Sequence, residues 1–425
     1  MKRQLLTLGL ALSCFAFNGY SQWDWNGGGW NGGGNNGGWN GGGNNGGWNF
    51  NGEGSGNNGS IGDYQKKGDI DYVGDNHVGH KLDIYFPKDD GKATHPVIIH
   101  IYGSAWGSND SKGSADLGTV GTAALGAGYI LVTPNHRTYR DALYPAQIND
   151  IKAVVRYLRG NAEQLGIDTS FIAISGFSSG GHLASLMGTS RNVEGSYTVG
   201  SATMDIEGNL GNYTNESSWV DAVCDWSGPV DCRVKSCGNP INMSPENDMV
   251  GGCNDQVCPD KHALLAANTF IDPTDAPTMV AHGSADNIVP QCEGKKFYDD
   301  LKAAGVDCEY FPHSGGHGVE GSLTGDMIKF FNRIKEAKAA ARAEEETNVA
   351  SVFSNKENIC IEGNRLYLCA EGADATDFEL IDMFGKVLNN GKLDAAGIDI
   401  TGLSNGIYFI RLLGNENAKL IKFIK

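Results

Sequence analysis

Apolar segments of strand length alternate with amphipathic segments of helix length between Gly68 and about Ala340. The apolar segments are HKLDIYF, HPVIIHIYG, YILVTPN, FIAISGF, VDAVCDW, PTMVAHG and CEYFPHS. Continuously apolar strands joined by helices predict an α/β fold with a mostly parallel, doubly wound sheet covered on both faces. Because ligands of such sheets bind at the carboxyl ends of the strands, functional residues are expected there.

One strand end carries the sequence SGFSSGG, in which Gly176, Ser178 and Gly180 fit the pattern Gly-x-Ser-x-Gly. The glycines of this pattern let a strand turn sharply into a helix, so that the serine hydroxyl projects alone above the sheet. The chain has 61 glycines, so the pattern alone is a weak signal. The strand before it and the helix-like HLASLM after it supply the required context. Ser178 is the predicted nucleophile.

A serine hydroxyl needs a base to remove its proton and a carboxylate to orient that base. In chain order the acid and then the histidine should follow the serine at later strand ends. Asp286 follows the strand PTMVAHG, and His317 follows the strand CEYFPHS. His313 lies closer to its strand end and is predicted to be structural, and His282, which precedes a glycine, is expected at the end of its own strand. The predicted catalytic set is Ser178, Asp286 and His317.

Acyl transfer also needs donors for the developing oxyanion. The main-chain N–H group of Ser179, next to the nucleophile, is one candidate. The loop YGSAWGSND after the second apolar segment supplies two more, the N–H groups of Ser104 and Ala105. Trp106 is expected to buttress this loop, and Trp106 and Tyr102 are candidate substrate contacts.

These residues carry a family resemblance from about Asp71 to Phe331. The stretches YGSAWGSND, SGFSSGGHLA, CDWSGPVD and HGSADNIVP resemble α/β-hydrolases of the esterase and lipase branch, within the bacterial feruloyl and acetyl-xylan esterase-like group. The resemblance implies an α/β-hydrolase domain over residues 61–340, acting as a serine esterase on feruloyl or acetyl groups of plant cell-wall xylan, with no metal or organic cofactor. Tyr102 and Ser104 depart from the family's His-Gly-Gly-x-Trp segment, and a side chain at Ser104 is expected to narrow the site.

The charge balance limits the partners of the chain. Its 50 acidic and 33 basic side chains give a formal net charge of −17. Such a surface repels nucleic acid and anionic lipid and favours neutral partners. An acylated polysaccharide or its oligosaccharides fit this expectation, whereas nucleic acid does not.

The amino terminus reads as an export signal. Residues 1–21 contain two cations followed by an apolar stretch that is too short to span a membrane. Cleavage is expected near Ser21. Lipid attachment at Cys14 is a disfavoured alternative, because Ala11 matches the lipobox leucine position poorly. The mature protein is predicted to be secreted or held at the cell surface, with no membrane insertion after export.

Residues 22–60 consist almost entirely of Gly, Asn and Trp, and Trp30, Trp39 and Trp48 recur nine residues apart. This composition cannot bury enough apolar surface to fold, which predicts a flexible tether. The alternative is that the spaced indole rings stack on sugars. The tether is the favoured interpretation.

Ten cysteines suit an exported protein, and seven of them lie between Cys224 and Cys308. An odd number leaves at least one free thiol. Two pairs have a spacing that could suit zinc, namely Cys232 with Cys237 and Cys253 with Cys258. Disulfides are favoured over zinc binding in an exported chain. Cys292 and Cys308 are not expected to pair, because the helix between them spans about 18 Å.

Two further regions complete the organisation. Residues 189–277 predict a loop-rich cap, stapled by disulfides, that holds a substrate pocket or only adds stability. After the helical segment MIKFFNRIKEAKAAARAEEE, a polar linker over 341–356 is expected to precede a small β-sandwich over 357–425. The ending LSNGIYFIRLLGNENAKLIKFIK resembles the sorting domain of the type IX secretion pathway and implies contact with that secretion machinery. A generic sandwich or carbohydrate-binding module is the alternative.

Two other functions stay open at this point. A serine peptidase or lipase uses the same fold and the same three residues, because the triad does not select the acyl donor. A lipase would carry an apolar lid, and a prolyl peptidase usually adds a propeller domain. A non-catalytic surface protein that holds polysaccharide through the Trp repeat is the second alternative, and the Ser, Asp and His set argues against it.

Overall fold

The computed structural model describes residues 64–231, 233, 244–354, 359–368, 376–382, 386–394, 396–403, 406–413 and 418–425. The side chains of 344–354, 359–360, 368, 376, 418–420, 422 and 424 are not described. The predicted signal peptide at 1–21, with Cys14, and the predicted tether at 22–60 lie outside the described residues.

Most strands of the first 313 residues form one sheet. In chain order the strands are β1 Lys66–Asp71, β2 Lys81–Tyr85, β3 His95–Ile101, β4 Ile130–Pro134, β5 Ile167–Phe177, β6 Ser196–Val199, β7 Ala202–Asp205, β8 Ala222–Trp226, β9 Thr278–Gly283 and β10 Cys308–His313. The sheet order is β1-β2-β4-β3-β5-β8-β9-β10, and β6 and β7 form a separate hairpin. Pairing is antiparallel between β1, β2 and β4 and parallel from β4 to β10.

This architecture confirms the prediction of a mostly parallel α/β sheet, and all seven predicted strands are present. Strand β1 was not predicted, because it is exposed over most of its length and lacks an apolar signature. The hairpin of β6 and β7 was not predicted either, because its residues are largely exposed.

Helices cover the sheet. They are α1 Thr122–Gly126, α2 Ala146–Gly160, α3 Ala162–Leu165, α4 Ser179–Thr189, α5 Ser244–Met249, α6 Pro259–Leu265, α7 Gln291–Ala304 and α8 Thr324–Ser354. Successive strand residues point to opposite faces, so each strand contributes to two cores. In β3, Val97 and Ile99 belong to one buried cluster and Ile98 belongs to the other. Both faces of the sheet are therefore closed to water.

The helix α8 extends through most of the segment predicted as a polar linker. It ends at Ser354, whereas the linker was expected over residues 341–356. The sequence AAARAEEE in this part of α8 is rich in strong helix formers, and polarity alone does not prevent such residues from continuing a helix.

The cysteines of the predicted cap are partly paired. Cys253 and Cys258 form a disulfide with a Cα–Cα distance of 6.1 Å, which confirms a disulfide at this spacing. Cys292 is disulfide-bonded as well. Cys224 and Cys308 are free thiols, which confirms that Cys308 does not pair with Cys292. Cys232 and Cys237 lie outside the described residues.

The carboxyl-terminal region contains two small antiparallel sheets. Their strands are β11 Ile359–Glu362, β12 Arg365–Leu368, β13 Thr376–Asp382, β14 Val387–Leu393, β15 Ile398–Asp399, β16 Ile407–Leu413 and β17 Ala418–Ile424. The sheet orders are β11-β12-β15 and β14-β13-β16-β17. Leu366 of the first sheet and Phe378 and Ile410 of the second belong to one buried cluster. The all-β prediction for this region is confirmed. No described helix is both long and apolar enough to cross a membrane.

Candidate active site

Ser178 occupies the corner between β5 and α4. Its backbone has φ 55° and ψ −122°, a strained conformation for a residue with a side chain. The Ser178 N–H group donates to the main-chain oxygen of Trp226 at 2.9 Å, and the Ser178 carbonyl accepts from the N–H group of His182 at 3.0 Å. These two bonds, one to β8 and one to α4, hold the strained corner in place.

The two glycines of the pattern are required by close packing. A Cβ atom on Gly176 would overlap the main-chain carbonyl of Gly180, and a Cβ atom on Gly180 would overlap the main-chain oxygen of Ile101. Gly103, in the loop after β3, is also required by close packing, because a Cβ atom there would lie 2.8 Å from the Ser178 Cβ atom. The backbone of the corner therefore lies directly against the end of β3.

Ser178, His317 and Asp286 form a continuous chain of hydrogen-bonding groups. The Nε2 atom of His317 lies 2.9 Å from the Ser178 Oγ atom, and its Nδ1 atom lies 2.8 Å from the Asp286 Oδ2 atom. The imidazole ring also packs against Phe177, with ring centroids 4.8 Å apart. The side chain of His317 is 4% exposed and that of Asp286 is 0% exposed. As whole residues, all three are half-buried.

The carboxylate of Asp286 is held by four groups. Its Oδ1 atom accepts the N–H groups of Ile288 and Val289, each at 2.9 Å. Its Oδ2 atom contacts His317 and lies 3.4 Å from the Nε2 atom of His282. Burial by itself raises the pKa of Asp286, but the hydrogen bonds from His282, His317 and Ile288 outweigh it and hold the pKa below its usual value. Asp286 is therefore ionised at neutral pH.

The loop that carries His317 lies over the end of β9. The N–H group of Ser284 donates to the His313 carbonyl at 2.7 Å, and the N–H group of Ala285 donates to the Gly315 carbonyl at 3.0 Å. His313 itself accepts from the N–H group of Gly315 and lies 3.7 Å from Glu320. The structure therefore places His317, and not His313, beside Ser178.

The loop after β3 meets the corner at a different atom from the one expected. The Ser104 N–H group donates to the Ser179 side-chain Oγ atom at 2.9 Å. An N–H group used in this way does not point at a substrate oxygen, so the expectation for Ser104 needs correction in this conformation. Ala105 and Trp106 follow with φ 49° and 53°. The main-chain N–H groups of Ala105 and Ser179 are the remaining oxyanion candidates.

Tyr102 and Trp106 are buried, which corrects their prediction as substrate contacts. Tyr102 is 2% exposed, donates its hydroxyl to the Ser108 carbonyl at 2.9 Å and stacks on His136. Trp106 is 1% exposed and meets the edge of His182, with ring centroids 5.0 Å apart. Burial lowers the pKa of His182 to about 4, so this ring is neutral. Both aromatic residues support the loop after β3 from beneath.

A buried polar network below the corner was not predicted. The Ser175 Oγ atom lies 3.1 Å from His100 Nδ1 and accepts the indole N–H group of Trp226 at 3.0 Å. His100 Nε2 in turn lies 3.0 Å from Asp116 Oδ2. The network joins β3, β5 and β8, whose order in the sheet no local sequence signal reveals. Its serine, histidine and aspartate resemble a triad in composition, but Ser175 is fully buried.

Within the part of the chain that the structure describes, no cluster of three or more His, Cys, Asp or Glu side chains could hold a metal ion.

The BD-FAE family profile matches residues 82–301, which include Ser178 and Asp286. This match spans half of the chain. The chain belongs to the BD-FAE family. It is a family of carbohydrate esterases with the α/β-hydrolase fold, and the resemblance stated from the sequence is confirmed.

Solved structures similar to this BD-FAE chain include a truncated carbohydrate esterase from gut microbiota. It is 39% identical, with a TM-score of 0.61, and the match covers 64% of this chain and 96% of that one. A bifunctional GH43-CE protein of Bacteroides eggerthii is 43% identical, with a TM-score of 0.60, over 64% of this chain and 35% of that one.

Among curated proteins, esterase LipC of Mycobacterium tuberculosis is 28% identical to this BD-FAE chain over 280 residues, 61% of this chain. A probable carboxylic ester hydrolase of the same organism, LipM, is 28% identical over 242 residues, 56% of this chain. The match covers 63% of the length of LipC and 52% of the length of LipM.

The end of the chain matches a second family. Residues 355–425 match the secretion system C-terminal sorting domain, which confirms the resemblance to type IX sorting domains. This domain indicates export through the type IX pathway and contact with its machinery.

Proposed function

We propose that the protein is a secreted serine ester hydrolase that removes feruloyl or acetyl groups from plant cell-wall polysaccharide. The observation that carries the proposal is the chain of contacts from Ser178 Oγ through His317 to Asp286, at 2.9 and 2.8 Å. An ionised, buried carboxylate behind the imidazole and a half-buried hydroxyl in front of it suit nucleophilic catalysis at neutral pH.

In the first half of the reaction, the Ser178 Oγ atom attacks the ester carbonyl carbon and its proton moves to His317 Nε2. The tetrahedral intermediate then collapses, the bond from carbon to the sugar oxygen breaks, and His317 returns the proton to that oxygen. In the second half, water attacks the acyl-serine and gives a proton to His317. The bond to Oγ breaks, the proton returns to Ser178, and the free carboxylic acid leaves.

Asp286 keeps His317 in the tautomer that this sequence requires. Its Oδ2 atom accepts a hydrogen bond from the Nδ1–H group, which leaves Nε2 free to accept from Ser178. A negative charge forms on the carbonyl oxygen in the transition state. We assign its stabilisation to the main-chain N–H groups of Ala105 and Ser179. Such a donor contributes about 3 kcal/mol to transition-state stabilisation.

The substrate class is supported by the relatives. Both similar solved structures are described as carbohydrate esterases or as carrying a CE component, and both are about 40% identical to this chain. Export through the type IX pathway would bring the enzyme to polymeric substrates outside the cell. The choice between feruloyl and acetyl groups is part of the test below.

The test is a panel of methyl ferulate, acetylated xylan, a short-chain nitrophenyl ester, a long-chain triglyceride and a prolyl peptide, assayed with the full chain. We expect ester cleavage that falls by about four orders of magnitude or more in Ser178→Ala. Ser201→Ala is the matched control, because Ser201 is exposed in the turn between β6 and β7, and it should retain full activity. Cleavage of the peptide or triglyceride without turnover of the carbohydrate esters would replace the proposed function.

A further inference from the structure

A cavity lies at the end of the sheet opposite to Ser178. It has a volume of about 590 Å³, and its lining includes Trp219, Asp221, Pro277 and Asp307. Three of these residues come directly before β8, β9 and β10, at the amino ends of parallel strands, whereas Ser178, Asp286 and His317 follow carboxyl ends. The proposed catalytic site does not use this cavity.

The cavity presents an indole ring that is fixed in position. The side chain of Trp219 is 41% exposed, which is unusual for so large an apolar group. The guanidinium of Arg191 lies 4.5 Å from the centre of its ring, and the Arg159 Nη2 atom donates to its main-chain oxygen at 2.8 Å. An exposed ring held in one orientation is a suitable platform for the apolar face of a sugar.

The carboxylates and the guanidiniums that line the cavity differ in their partners. Lys338 pairs with Asp221, and Arg333 pairs with Asp307 through two nitrogen atoms at 2.7 and 3.0 Å. Each carboxylate of the lining therefore has a direct cationic partner, and Arg333 also pairs with Glu309 at 3.0 Å.

The two lining guanidiniums, by contrast, bond only to neutral oxygens. Arg159 also donates to the Thr169 carbonyl at 3.1 Å, and Arg191 donates to the Thr274 carbonyl at 3.0 Å. Among the described residues neither has an ion-pair partner, and the Nε atom of each is without a hydrogen-bond partner. Arg159 interacts at longer range with Asp221 and Glu216, and Arg191 with Asp272 and Asp275. Two guanidiniums without a direct ion pair beside an exposed indole still offer donors to an anion.

We infer that this cavity is a second binding site, which holds a uronic acid unit of an acidic polysaccharide. The pyranose ring would stack on Trp219, and the carboxylate would lie between Arg159 and Arg191. A volume of about 590 Å³ is within the usual range for a site that holds a small ligand. The inference takes the polysaccharide from the proposed function, but it concerns a site remote from the ester chemistry.

The test measures binding with ligands that carry no ester, so its result does not depend on the esterase activity. The full chain is titrated by calorimetry with a glucuronic-acid-substituted xylo-oligosaccharide, with the unsubstituted oligosaccharide of the same length, and with inorganic phosphate. We expect the acidic oligosaccharide to bind at least tenfold more tightly than either of the others. Equal affinity for the neutral oligosaccharide or for phosphate would overturn the assignment of the ligand.

Variants then locate the site. Trp219→Ala and Arg191→Gln should each weaken binding of the acidic oligosaccharide at least tenfold, and Arg191→Lys should recover part of it. Tyr197→Ala is the matched control, because Tyr197 is an exposed aromatic residue that does not line the cavity. All four variants should hydrolyse a small soluble ester at the wild-type rate, which also shows that they fold. Unchanged binding in both Trp219→Ala and Arg191→Gln would overturn the site.

Discussion

The Nε2 atom of His317 lies 2.9 Å from the Oγ atom of Ser178, although the two residues are 139 positions apart in the chain. Ser178 follows β5 and His317 follows β10, and β8 and β9 lie between these strands in the sheet. Because the strands from β5 to β10 are parallel, their carboxyl ends lie on one edge, where the loops can meet. The contact therefore depends on the register of four strands and on the shape of two loops.

Asp286→Asn should lower kcat by about four orders of magnitude, with a small change in KM. The amide keeps the size of the side chain and can still accept from the N–H groups of Ile288 and Val289. It cannot provide the negative charge that stabilises the imidazolium of His317. Steady-state kinetics on the best ester of the panel measure the effect. Asp299→Asn, at an exposed ion pair with Lys295, is the control and should have wild-type kinetics. A loss of less than tenfold in Asp286→Asn would contradict the assigned role.

Gly176→Ala should destabilise the fold by more than 3 kcal/mol or prevent folding, because overlap with the Gly180 backbone cannot be relieved by a side-chain rotation. Gly325→Ala is the matched control. Gly325 lies at the start of α8, and a Cβ atom there meets no other atom within 4 Å. This variant should be neutral or slightly more stable. Urea unfolding followed by circular dichroism compares the two, and equal stability of the two variants would refute the packing argument.

Asp225→Asn should become more stable than the wild type as the pH rises. Burial raises the pKa of Asp225 to about 7, with His282 and the Gly228 N–H group opposing the rise in part. The unfolded carboxyl has a pKa near 3.8, so the folded protein holds an extra proton between these values. The stability linked to that proton is fully present below about pH 4 and is lost as the pH rises through about 7.

The measurement is urea unfolding of both proteins at pH 5 and pH 8. The stability of Asp225→Asn relative to the wild type should increase by on the order of 2 kcal/mol between these two pH values. Asp299→Asn again serves as the control, since Asp299 is exposed and paired with Lys295. A difference that stays constant with pH would show that Asp225 is ionised throughout.

Replacing both Cys253 and Cys258 by Ser should lower the free energy of unfolding by about 2 kcal/mol, as expected for a disulfide that closes a short loop. The folded double variant should keep its ester hydrolysis activity, because the disulfide contacts none of the proposed catalytic groups. Thermal unfolding with and without a reductant measures the effect. The reductant should lower the Tm of the wild type more than that of the variant, because the disulfide of Cys292 is common to both proteins. A loss of activity in the folded variant would assign the disulfide a part in the site.

The fold and the order of the proposed catalytic groups were predictable because their signals are local. Seven apolar strands, the Gly-x-Ser-x-Gly corner, and an acid and a histidine at later strand ends can each be read from a few neighbouring residues. The helix predicted over MIKFFNRIKEAKAAARAEEE is present, but α8 continues beyond it to Ser354, because a solvated helix and a solvated coil have similar composition.

The errors at the site have a different cause. Tyr102 and Trp106 were expected at the substrate because they flank the loop after β3, but the direction of a side chain depends on the φ of each residue, and Ala105 and Trp106 have positive values. The hydrogen bond from Ser104 to Ser179 joins residues 75 positions apart. No local pattern indicates whether the N–H group of Ser104 or that of Ala105 will donate a hydrogen bond to a hydroxyl so far away in the chain.

The sequence by itself determined the class of sheet, the corner that exposes Ser178, and the chain order of the acid and the base, because periodicity and turn chemistry act over a few residues. Only the tertiary structure decided that the Ser104 N–H group is occupied and that Arg159, Arg191 and Trp219 share one cavity. Those outcomes depend on strand order and loop packing, which join residues far apart in the chain through contacts that no single segment encodes.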